Sequence, residues 1–166
     1  MCQMKAERQL YHEPTDKPVV PFLNGKWMKD LQQRVFAAAQ PDAQKIITPD
    51  TKYCFYVNKK LHEALEGEGI ESRYIPYEDQ YSHRGVITHA FVKATYAQKE
   101  YVLDMQYQQF VQEEKRKALP DHMVIPFRTK HDLVSGLAAH EIPTQFHEYW
   151  TDEFFPEPIS LVNFRT

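Results

Sequence analysis

The sequence predicts an α+β fold in one domain, two amphipathic helices followed by a small antiparallel sheet. Three observations carry this. Trp27, Leu31 and Val35, and then Cys54, Val57, Leu61 and Leu65, recur at the spacing of a buried helix face. Strand-like runs at 70–75, 86–95 and 100–104 follow in close succession. The 166 residues suffice for one ordinary domain with a core, and no internal repeat or linker divides them.

The elements can be justified in order. Residues 1–25 carry Pro14, Pro18 and Pro21 and read as an extended N-terminal arm, with Asn24-Gly25 as a turn signal. Residues 26–166 read as the single folded domain. A helix is predicted over 26–40, ended by Pro41. Residues 41–53 form a loop in which Asp50 or Thr51 can cap the next helix. That helix covers 52–66, with Cys54, Val57, Asn58, Leu61 and Leu65 on one face and Gly67 and Gly69 as its stop. The strand 70–75 ends at Pro76, and 76–85 is a polar loop rich in Tyr and His. After the strands 86–95 and 100–104, a helix is expected near 106–118 and another near 130–140.

Composition excludes several classes. Apolar content of 42% and charged content of 26% are those of a globular protein, and ten Tyr, ten Phe and two Trp exclude a disordered chain. A net charge of −3 and a pI of about 6.2 give no pull toward nucleic acid or an anionic membrane. The one basic run, Lys115-Arg116-Lys117, follows Glu113-Glu114 and reads as a solvated helix face. Two cysteines, Cys2 and Cys54, make no disulfide framework. The N-terminus lacks the apolar core of a signal peptide, and no run approaches a membrane span. The expected location is the cytoplasm, or outside the cell by export without a cleavable signal.

Cys54, His89 and Asp104 are the residues that carry chemistry. A thiol, an imidazole and a carboxylate can serve as nucleophile, general base and orienting group. Cys54 opens a helix, where unpaired N–H groups and the positive end of the dipole stabilise a thiolate and can bind an oxyanion. His89 and Asp104 sit on successive strands. A turn centred between Tyr96 and Ala97 would pair 93 with 100, 91 with 102 and 89 with 104, and a turn displaced by one residue would still leave His89 and Asp104 diagonal neighbours. Each residue alone has a plainer reading: a small core residue, a surface His and a turn-forming Asp.

The pieces C54FYVNKKLHEAL, G69IESRYI, H89AFV and Y101VLD, in this order, resemble the core of the transglutaminase-like superfamily, permuted relatives of papain-type cysteine proteases. The resemblance implies a papain-like fold with the Cys54 helix packed on the sheet. It also implies Cys54 as nucleophile, His89 as base and Asp104 as orienting group. The implied activity is acyl transfer on a protein or peptide amide through a thioester, as glutamine deamidase, transglutaminase or protease, with no cofactor. Similar small domains include bacterial effectors that modify host glutamine, peptide-maturation proteases and peptidoglycan hydrolases. Phe91 stands where the family often has Trp, and Tyr53 and Phe55 flank the cysteine where many members have Trp. The candidate substrate contacts are Tyr53, Tyr81 and His83. The alternative is a catalytically inert protein-binding domain on the same fold, engaging a partner through the N-terminal arm or the aromatic segment 146–155.

Other constellations are weaker. Eight histidines invite a metal, but His122, His131, His140 and His147 match no zinc spacing, so none is expected. Gly67-Glu68-Gly69 lacks the Lys-Ser/Thr of a phosphate loop. Phe146 to Phe155 reads as packing.

Overall fold

Asn24 starts the first helix: its side-chain oxygen accepts the backbone N–H of Lys26 at 3.0 Å, and its carbonyl accepts that of Met28. In the computed structural model, which describes residues 21–46, 53–79 and 87–156, this helix is α1 (Gly25–Ile46). It runs through Pro41 instead of ending there. Ahead of it, Pro21–Leu23 form a 3-10 turn that buries Phe22 against Tyr101, ring centroids 4.8 Å apart. The folded domain therefore starts before residue 26. The rest of the predicted arm, 1–20, and the caps Asp50 and Thr51 lie outside the described residues.

The second helix, α2 (Tyr53–Gly67), matches its prediction closely. Gly69, at φ 73°, ends it: Gly69 N–H donates to the Glu66 carbonyl and Ile70 N–H to that of Leu65, both at 2.9 Å. A four-stranded antiparallel sheet follows in the order β1 (Glu71–Asp79), β2 (Ile87–Tyr96), β3 (Lys99–Asp104), β4 (Met123–Phe127). Pro76 does not end β1, and Pro126 sits inside the unpredicted β4, because both strands are sheet edges, where a missing N–H is tolerated. The turn between β2 and β3 is Ala97-Gln98, both at positive φ. It is displaced by one residue from the predicted centre, so Lys93 pairs with Val102 rather than Glu100.

The segment 106–118 is not one helix. It is a 3-10 turn (Tyr107–Phe110), an extended break at Val111 and Gln112, and the single turn α3 (Glu113–Arg116). A straight helix of that length would span about 20 Å. Here the Tyr107 hydroxyl donates to the Pro120 carbonyl at 2.5 Å and Arg116 Nε to that of Val111 at 2.9 Å, which folds the segment back on itself. α4 (Lys130–Ala139) stands where predicted, opened by a Thr129–Asp132 capping box, and α5 (Glu148–Thr151) closes the described chain.

Alternate strand residues face opposite layers. Val92, Ala94, Tyr101 and Leu103 pack with α1 and α2 through Met28, Leu31, Val57 and Leu61. Phe91, Val102 and Ile125 pack with Leu133, Leu137, Tyr149 and Trp150 on the other face. Among the described residues the protein is thus a three-layer α+β structure, and no helix there is long and apolar enough to cross a membrane.

Candidate active site

The β2–β3 ladder stops at Val92–Leu103. Beyond it β2 continues beside β1 alone, with Tyr77 paired to His89, while the chain leaves β3 through Asp104 into the 3-10 turn. His89 and Asp104 meet in this gap as diagonal neighbours. His89 Nε2 lies 2.5 Å from Asp104 Oδ2, and both residues are 0% exposed.

A buried carboxylate needs its oxygens satisfied. Asp104 has four partners. Besides His89, its Oδ2 accepts from Trp150 Nε1 at 3.2 Å, and its Oδ1 accepts from Gln106 N–H at 2.7 Å and from Asn58 Nδ2 at 3.2 Å. Asn58, one helical turn after Cys54, also donates to the Ala90 carbonyl at 2.7 Å and accepts from Met105 N–H at 3.0 Å. One side chain of α2 is thereby tied to β2 and to the end of β3.

Those bonds also dock the start of α2 against β2, the juxtaposition that spacing alone left open. Cys54 is buried and hydrogen-bonded to the His89 ring. Nε2 faces Asp104, and Gln109 Nε2 lies 2.7 Å from Nδ1. Burial is the largest single influence on His89 and opposes its charge. The Asp104 charge and hydrogen bond, followed by the bond and charge of Cys54, outweigh it and raise His89 from 6.5 to about 9. At neutral pH the ring is an imidazolium held between a carboxylate and a sulfur. Phe110 and Trp150 meet the ring edge-on at 4.8 and 5.3 Å. Tyr74, on β1, is pushed up to about 12, first by burial and then by the Cys54 charge, so its phenol stays a neutral donor.

Of the candidates read from the sequence, Cys54, His89 and Asp104 come together. Tyr53 opens α2, but its side chain, like Tyr81 and His83 as a whole, lies outside the described residues. Sequence reasoning did not single out Gln109 or Tyr74. Asn58 left a signal, a polar residue in the apolar stripe one turn after the cysteine. Trp150, packing by its sequence pattern, is also an Asp104 donor. No group of three or more His, Cys, Asp or Glu suited to a metal occurs among the described residues. Comparison of the chain with protein-family models, with curated proteins and with solved structures gives no match.

Proposed function

We propose that the protein is a cysteine-dependent acyl-transfer enzyme with a transglutaminase-like, papain-like arrangement, acting on a protein or peptide amide. The observation that carries this is the Cys54–His89–Asp104 array at a helix start, with His89 raised to about 9. In the proposed reaction the Cys54 proton rests on His89, the thiolate sulfur attacks the amide carbonyl, and the C=O pair moves onto oxygen. The N–H groups of the first turn of α2 are the nearest supply of oxyanion donors. Collapse breaks the C–N bond as the His89 proton passes to the leaving amine, leaving a thioester. Neutral His89 then removes a proton from water or an amine as its oxygen or nitrogen attacks the thioester; the C–S bond breaks, Cys54 leaves as thiolate, and the product is an acid or a transamidated amide. Asp104 holds Nε2 and keeps Nδ1 facing the sulfur.

The test is alkylation of Cys54 by iodoacetamide at neutral pH, mapped by mass spectrometry, with intact-mass analysis of candidate protein substrates. A gain of about one dalton means deamidation and a larger adduct cross-linking. Cys54→Ala is expected to abolish turnover while leaving the melting curve nearly unchanged. A native protein whose Cys54 resists iodoacetamide overturns the proposal. The 6% exposure of Cys54 supports a second reading, an inert binding domain, in which His89→Ala would leave the thiol rate unchanged.

A further inference from the structure

Cys54 and His89 are almost closed to solvent, at 6% and 0% exposure. A substrate amide must therefore reach them by displacing something. Of the side chains packed on His89, Asp104 and Trp150 are fully buried and Phe110 is half-buried, whereas Gln109 is exposed. Its carboxamide nevertheless lies 2.7 Å from His89 Nδ1, the nitrogen left over by Asp104. Gln109 also lines a groove of about 520 Å³ between α1 and the 3-10 turn, together with Gln32, Gln33 and Gln106. Gln109 is thus shared between that groove and the His89 ring. Each carboxamide can both donate and accept, which matches the alternating N–H and C=O of an extended peptide. Lys29 and Arg116 against Asp121 leave the groove without the strong single-sign charge that would favour a nucleotide or a lipid headgroup.

The geometry points to this groove as the binding site for the polypeptide on either side of the reacting amide, with Gln109 as the gate between it and His89. The substrate carbonyl and leaving nitrogen take the place of the Gln109 carboxamide at Nδ1. No covalent step beyond the proposed acyl transfer is needed, and the inference rests on that reading of Cys54.

The test compares two reagents that carry the same electrophile, iodoacetamide and an iodoacetyl-capped tetra-alanine amide, with modification mapped to Cys54. Gln109→Ala is expected to raise the iodoacetamide rate about fivefold, the factor associated with one hydrogen bond. The double variant Gln32→Ala/Gln33→Ala, on exposed and half-exposed helix positions, is expected to lower the ratio of peptide rate to iodoacetamide rate by about fivefold or more. Circular dichroism checks that each variant is folded. An unchanged ratio in the double variant, or no acceleration in Gln109→Ala, overturns the groove and gate while a reactive Cys54 leaves the acyl-transfer reading standing. A Cys54 that resists iodoacetamide in the native protein removes both.

Discussion

The two ends of the β2–β3 hairpin are built by opposite means. At the closed end, Ala97 and Gln98 make a two-residue turn, both at positive φ (48° and 62°), and the geometry is settled within four residues of chain. At the open end, Asp104 is held by Trp150, Asn58, His89 and Gln106, three of which are remote in sequence. The closed end is local and accepts residues that suit it poorly, since neither Ala nor Gln favours positive φ. The open end is non-local and has little slack, because Asn58, His89, Asp104 and Trp150 are all fully buried and hydrogen-bonded.

That contrast can be broken most strongly at Asp104. Asp104→Ala leaves a buried imidazolium and three donors without their acceptor, and a loss of about 3–5 kcal/mol is expected in urea denaturation. A loss comparable to that of an exposed substitution would show that the open end does not hold the fold. The pH dependence comes next. His89 binds its proton up to about 9 in the folded protein and to 6.5 in the unfolded chain. The folded state therefore holds the extra proton between those values. The stabilisation is complete below about pH 6.5 and fades as pH rises through about 9, amounting to a few kcal/mol. Denaturation midpoints across this window should fall for the native protein and stay flatter for His89→Gln. Asn58→Ala should cost about 1–3 kcal/mol, since it strands the Met105 N–H and the Ala90 carbonyl. It should also slow Cys54 alkylation by loosening α2 from β2. The smallest effect belongs to the closed end, where Ala97→Asn/Gln98→Gly should stabilise by about 0.5–1 kcal/mol. A destabilised double variant would mean that this turn is held by more than its own backbone.

The same division explains what the sequence disclosed. α2, α4 and the hairpin rest on local periodicity and caps, and they were readable to within a residue or two. So was the order Cys54, His89, Asp104, because each occupies a recognisable local setting. The prolines misled. Pro41 and Pro76 read as stops and Pro126 as a sign against a strand; for the two strand prolines the reason is that edge position is a tertiary property. The register was off by a single turn position, which moved His89 from opposite Asp104 to diagonal to it without separating them. Gln109 could not be found by spacing, since its contact joins the 3-10 turn to β2 across 20 residues of chain.

The prolines of the two outer strands have one more consequence. Pro76 and Pro126 are exposed, one on each rim of the sheet. Each interrupts the row of backbone donors that a stray strand from another molecule would need to zip onto the sheet. The protein is in this way guarded against growing sideways into fibrils from either rim, and replacing Pro126 with Val is the change most apt to start that growth.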